Sequence, residues 1–186
     1  MSTQNHFFIA IPLPEYLIEE MSIYLKELKN EFAFTRWVHP EDLHITLAFL
    51  GAGNEEKLAE IKDSMTAIAQ DASGFSLKMS GLGTFGNPQS PRIFWHGIVE
   101  SAELNLLRDR VYEACEKIGF DLDRRSFHPH ITLARKWQGP AFQQYSALSD
   151  QARTDTFKVK EFVLYQTHLH KLPKYEKIGI FPLKQE

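Results

Sequence analysis

The stretch "DLHITLAFLG", Asp42 to Gly51, and the stretch "FHPHITLARK", Phe127 to Lys136, share the five residues "HITLA". An identity of that length containing two polar residues is not expected by chance in 186 residues. The two copies therefore read as matching parts of one site. In an extended strand, side chains alternate, which points His44 and Thr46 to one face and Ile45, Leu47 and Phe49 to the other. The same parity sets His130 and Thr132 against Ile131 and Leu133. Each copy offers an imidazole and a hydroxyl on one face, while its branched apolar residues anchor the strand in a core. Ala48 and Ala134 continue the polar face with a small side chain, leaving room for a ligand.

The surrounding sequence alternates strand and helix. "HFFIAIPLP", 6–14, is an apolar strand ended by prolines, and "EYLIEEMSIYLKELKNEF", 15–32, carries Leu17, Met21, Tyr24, Leu25 and Leu28 on one helical face. After the first "HITLA", Asn54 is a good N-cap for a helix running to about Asp71, with Glu55 and Glu56 in its first turn. The order then recurs: "FSLKMSGLG", a turn-rich stretch, "RIFWHGIVE", a helix over 102–118 ended by Gly119, and the second "HITLA" strand. "FKVKEFVLYQTHLH" and "YEKIGIFPL" read as a closing pair of strands. The expected fold is α+β: residues 1–186 as one domain of two similar strand-and-helix halves, with the sheets lining a groove.

Composition narrows the function. A formal charge of −3 and a pI near 6.2 argue against a protein that coats nucleic acid through a broad basic surface. The single cysteine, Cys115, lies at helical spacing with Leu104, Leu107 and Val111, which suits a buried thiol in a reducing compartment. No apolar run reaches membrane-spanning length, and the opening "MSTQNHFFIAIPLP" lacks the basic start and long apolar core of a signal peptide, so a cytoplasmic monomer is expected. "GLGTFG", 81–86, matches a dinucleotide-loop pattern, but "NPQSPR" follows where a helix would have to begin. A glycine-rich turn between strands is expected there instead.

Two imidazoles across a groove suit phosphoester chemistry. Displacement at phosphorus needs one proton removed from the attacking oxygen and another delivered to the leaving one, and histidine exists in both states near neutral pH. Threonine hydroxyls can donate to the non-bridging oxygens, and no metal or cofactor is required. A metal site built on the H-x-H pairs His128/His130 and His168/His170, with Asp42 or Asp123, is the chemical rival, but it leaves both threonines and the repeat unexplained. Among the basic residues near the second copy, Arg124, Arg125, Arg135 and Lys136, the best phosphate contact is Arg135. Strict alternation would point Arg135 away from His130, so the strand must twist, bulge or end there.

These residues, with "FFIAIPLP", "RWVHPEDLHITL" and "PRIFWHGI", resemble the bacterial and archaeal RNA 2',3'-cyclic phosphodiesterases of the 2H phosphoesterase superfamily, long called 2'-5' RNA ligases. The resemblance runs from Phe7 to the "YEKIGIFPL" strand. It implies a bilobal fold over residues 1–186, a single catalytic domain of two pseudo-symmetric lobes with antiparallel sheets lining a central cleft and helices outside. It also implies metal-free hydrolysis of a 2',3'-cyclic phosphate at an RNA 3' end to a 2'-phosphomonoester, with 2'-5' joining as the reverse activity. Carried over, His44 gives a proton to the departing 3'-oxygen, His130 activates water, and Thr46, Thr132 and Arg135 hold the phosphate. Trp37 or Phe49 is expected to stack on the terminal base. Members of that family often read "WVPPENLH" where this chain reads "WVHPEDLH", which puts His39 near the expected entrance. A small cyclic nucleotide or ADP-ribose cyclic phosphate is the alternative substrate.

Overall fold

The computed structural model describes residues 5–142, 148 and 151–185. The first four residues of the opening segment read above lie outside them. Strand β1 (His6–Pro12) leads into helix α1 (Glu15–Glu31), β2 (Phe34–Trp37), a single 3-10 turn (Pro40–Asp42), β3 (His44–Ala52) and α2 (Glu55–Asp71). Then come β4 (Phe75–Asn87), β5 (Ser90–Ile98), α3 (Ala102–Lys117), β6 (His130–Trp137), β7 (Thr156–Val159), β8 (Glu161–Thr167) and β9 (Tyr175–Pro182). Asn54 caps α2 by accepting the Lys57 N–H, Ser101 caps α3 through Leu104, and Gly119 ends α3 at a φ of +93°, which glycine adopts at little cost.

The strands make one path, β7-β4-β5-β6-β3-β1-β8-β9, with β2 added on β6. Two halves are visible in it, each containing an outer strand, a helix and a "HITLA" strand. β1 pairs antiparallel with β3, and β5 pairs antiparallel with β6. The halves join through β3 and β6, where Ile45 stands opposite Ile131. One face of the sheet is covered by the helices. Ile9, Ile11, Ile45, Ile131 and Leu133 pack there with Leu17 and Met21 of α1, Ile61 and Met65 of α2, and Val111 and Cys115 of α3. The opposite face carries the histidines and threonines. No helix among the described residues is long and apolar enough to cross a membrane.

The structure corrects several expectations. Gly81–Gly86 is no turn but the interior of the long strand β4, and the turn falls at Pro88 and Gln89. Gly83 serves a close approach: a Cβ there would lie 2.3 Å from the Trp95 indole, which rests across β4. The "FKVKEFVLYQTHLH" stretch is two strands, because its first part pairs with β4 while its second pairs with β1 and β9. Strand β2 and the 3-10 turn have no counterpart in the elements expected from sequence.

Strict alternation also fails within both repeats. Ile9 pairs with Ala48 and Ala10 with Thr46, so Leu47 is an extra residue; Phe94 pairs with Ala134 and Trp95 with Thr132, so Leu133 is its counterpart. A bulge of one residue reverses the parity beyond it. Ala48 and Ala134 are consequently buried in the core rather than continuing the polar face, and Phe49 and Arg135 turn onto the side of the histidines.

Gly83→Ala is expected to lift Trp95 from β4 and destabilise the fold by about 1–3 kcal/mol, the usual range for overpacking. Urea denaturation followed by tryptophan fluorescence measures it, and an unchanged midpoint would show that the indole does not need that space.

Candidate active site

Both imidazoles are anchored the same way. His44 Nδ1 lies 2.7 Å from the Asp42 carbonyl, and His130 Nδ1 lies 2.7 Å from the His128 carbonyl. A carbonyl only accepts, so each Nδ1 carries the hydrogen and each neutral ring leaves Nε2 as its free lone pair. His44 Nε2 is 3.1 Å from Thr46 Oγ1, which donates to it while the ring is neutral. Continuing the register through Ile45 and Ile131 by one residue sets His44 across from Thr132 and Thr46 across from His130. The two motifs are thereby related by a local two-fold through the isoleucine pair.

Aromatic rings wall each histidine. His44 sits 4.9 Å from Phe8, 5.3 Å edge-to-face with Tyr175, and 6.0 Å from Tyr165, measured between ring centroids. Phe8, Ala10, Val163 and Tyr165 form a small apolar cluster of their own beneath it. His130 is 5.1 Å edge-to-face with Phe85 and 6.3 Å from Trp95, and His128 stands against the same two rings. Sequence reading misses this lining, since Phe8, Phe85, Trp95, Tyr165 and Tyr175 are scattered along the chain and meet only through strand pairing.

Burial governs the proton affinities. It pulls His44 down to about 4, against the Asp42 carbonyl and carboxylate, which favour the charged form. His130 is also lowered, again mainly by burial, with the carbonyl of His128 opposing and the charge of its ring and of Arg135 adding to the effect. The free cleft thus holds two neutral imidazoles at neutral pH.

Arg135 meets the condition set by its sequence. Beyond the Leu133 bulge it pairs with Ile93, on the same side as Trp95 and Thr132, and its charge acts on His44, His130 and Tyr175. Arg36, directly opposite it on β2, is a neighbour that the sequence pattern does not indicate. Phe49, the counterpart of Arg135 after the Leu47 bulge, is 53% exposed on the histidine side and meets His6 edge-to-face. Trp37 does not join them. It pairs with Ala134, packs against Phe34 and Phe94 of the core, and donates from Nε1 to the Phe34 carbonyl. His39 accepts the Glu41 N–H at the 3-10 turn and lines a groove beside α1 with Trp37. Of the remaining basic residues, Arg125 is paired with Asp123.

The candidate metal ligands are otherwise engaged. Asp42 accepts backbone N–H groups of Lys174 and Tyr175, and His168 bonds Glu176. Among the described residues, no three His, Cys, Asp or Glu side chains converge as a ligand set.

A bilobal antiparallel fold with one His-x-Thr on each of two paired strands is that of the 2H phosphoesterases. The Escherichia coli protein LigT, solved in complex with 3'-AMP, superimposes with a TM-score of 0.79 at 26% identity over 98% of this chain and 99% of its own. The model of the 2'-5' RNA ligase superfamily matches residues 17–171, and the chain belongs to that family. An RNA 2',3'-cyclic phosphodiesterase of Bacillus subtilis is 36% identical over 96% of both chains. A protein of the same name from Geobacillus stearothermophilus is 50% identical over 97% of this chain, which spans 58% of that longer relative.

Three histidines have lowered proton affinity: His44, His130 and the buried His96, which burial again depresses. Their folded values lie below 6.5, so the unfolded state takes up protons first as pH falls. Their contribution to stability is full above about pH 6.5 and is lost as pH falls through each folded value, which for His44 is about 4. The urea midpoint is expected to drop between pH 7.5 and 4.5, and to drop less in His44→Gln; a flat profile contradicts the assignment.

Proposed function

We propose that the chain hydrolyses 2',3'-cyclic phosphate ends of RNA to 2'-phosphomonoesters without a metal. The observation that carries this reading is the pair of imidazoles on the same side of two paired strands, each fixed through Nδ1–H to a carbonyl, with Nε2 left as the acceptor and, in His44, bonded to the Thr46 hydroxyl. The named activity of relatives covered along nearly their whole length supports the substrate.

Water attacks phosphorus opposite the 3'-oxygen. As the new P–O bond forms, His130 Nε2 takes the proton of the water. As the P–O3' bond breaks, protonated His44 gives its Nε2 proton to the departing oxygen. The products are a 3'-hydroxyl and a 2'-phosphate, and the next cycle begins when the proton held by His130 returns to solvent and His44 is reloaded. Thr46, Thr132 and Arg135 donate to the non-bridging oxygens, where they stabilise the charge that builds during attack. An anionic phosphate in the cleft also offsets the burial that keeps His44 neutral when the site is free. Phe49, exposed on the same side, stacks on the terminal base. With the 5'-hydroxyl of a second RNA end in place of water, the same step in the same direction, in which His130 takes the hydroxyl proton and His44 protonates the departing 3'-oxygen, would join the ends through a 2'-5' bond.

An oligonucleotide ending in 2',3'-cyclic phosphate, incubated with excess EDTA, is expected to yield only the 2'-phosphate isomer. His44→Ala and His130→Ala are each expected to lower kcat/KM by roughly 10²–10⁴ while leaving the circular dichroism unchanged. Turnover confined to small cyclic nucleotides or ADP-ribose cyclic phosphate would keep the two histidines and discard RNA; dependence on added metal would discard the mechanism. Phe49→Ala is expected to raise KM with little change in kcat, and an unchanged KM would remove it from the base site.

A further inference from the structure

The near two-fold symmetry leaves the direction of proton transfer undetermined, since both rings are anchored through Nδ1 and both offer Nε2. The symmetry is broken at the residue whose carbonyl does the anchoring. Before His44 that residue is Asp42, and before His130 it is His128. The two side chains have opposite charge preference at the same place in the motif.

Asp42 is only 3% exposed, and its carboxylate oxygens accept the Lys174 N–H at 2.8 Å and the Tyr175 N–H at 3.0 Å. Among the described residues no cationic side chain is within ion-pairing distance of it. The negative charge is therefore held in place by backbone dipoles and remains available to act on its surroundings. Those surroundings are His44 and, across the aromatic wall, the hydroxyls of Tyr165 and Tyr175. The remaining charged groups facing His44 are Arg135 and His130, both of which oppose its protonation. His128 lies at the other end, its ring 6.3 Å from that of His130 and 5.0 Å from Trp95. Nothing on the Phe85 or Trp95 walls is titratable, so the titratable and charged groups that face His130 are His44, His128 and Arg135.

We propose that Asp42 and His128 are positioning residues that assign the two roles: Asp42 favours His44 in its protonated form as the donor to the leaving oxygen, and His128 keeps His130 neutral as the acceptor. This rests on the two-histidine hydrolysis proposed above. Burial works against a charged His44 in the free cleft, so Asp42 acts in the same direction as the phosphate that binds there. Asp42 has a second consequence, because the same carboxylate fixes Tyr175 against the His44 ring.

The variants Asp42→Asn and His128→Gln separate the possibilities. Site-resolved NMR titration of the imidazoles is expected to show His44 binding its proton more weakly in Asp42→Asn, and His130 binding it more tightly in His128→Gln. In turnover of the cyclic-phosphate oligonucleotide, Asp42→Asn is expected to lose about tenfold in kcat/KM at pH 7–8 for each tenfold loss of proton affinity at His44. The deficit of His128→Gln is expected to grow as pH falls from 7 to 5. If the roles are reversed, weaker protonation of His44 leaves the rate at pH 7–8 intact and tighter protonation of His130 raises it, which overturns the proposal. Unmoved titrations in folded variants overturn it as well. If Asp42→Asn does not fold, the His128→Gln profile alone decides. Absence of turnover by the unsubstituted protein would instead refute the hydrolysis itself, and the titrations would still report on the two residues.

Discussion

One antiparallel pair, Ile45 opposite Ile131, joins the two halves of the molecule at their centre. Both side chains are fully buried against the helices, and each is flanked by a histidine on the opposite face. The separation and facing of the two imidazoles therefore depend on core packing on the far side of the sheet. Strand geometry supplies the rest: adjacent strands lie about 4.8 Å apart, and the register sets the two histidines diagonally across the pair, each opposite the other copy's threonine. The apolar residues of "HITLA" are as much a part of the site as the polar ones, because they fix where the strand lies and which way it faces.

The aromatic walls act on chemistry through solvation. An imidazole held against Phe8, Tyr165 and Tyr175, or against Phe85 and Trp95, loses water that would stabilise its charged form. The same surroundings strengthen every electrostatic interaction within the cleft, including those of Thr46, Thr132 and Arg135 with a bound anion. Protonation and substrate binding are thereby coupled. Under the proposed hydrolysis the ligand adds its negative charge to that of Asp42, and a proton on His44 becomes favourable when there is an anion for it to face.

Much of this architecture is legible in the amino-acid sequence. The three helices announce themselves because α1, α2 and α3 each carry an apolar stripe of period 3.6, and Asn54 and Gly119 mark helix ends. The histidines and threonines stand out from the repeat alone. Two kinds of feature do not. The first is the bulge at Leu47 and at Leu133, which no residue type announces and which places Ala48, Phe49, Ala134 and Arg135 opposite to strict alternation. The second is long-range: Tyr175 reaches His44 through bonds from Asp42, 133 residues away, and no local pattern reports such a contact. Trp37 shows the converse, since it is near a motif in sequence while β2 pairing sets its partly buried ring against Phe34 and Phe94.

A duplicated motif yields a nearly symmetric cleft, whereas cleavage of one P–O bond is not symmetric. Orientation must come from positions where the copies differ, and the bulges identify a pair of them. Phe49 and Arg135 occupy the same place in the two repeats, each turned towards the histidines by one extra residue, yet one is an exposed aromatic ring and the other a guanidinium. Under the proposed function, a nucleotide with a flat base and an anionic phosphate would be drawn to those two ends unequally, with its base on the Phe49 side and its phosphate within reach of Arg135. Asp42 and His128 differ in the same sense, a carboxylate in the half that bears Phe49 and an imidazole in the half that bears Arg135. Under the proposed hydrolysis, substrate orientation and the bias from Asp42 and His128 follow the same break in symmetry, and a ligand bound the right way round brings the anion that lets His44, neutral in the free cleft, take up the proton its role requires.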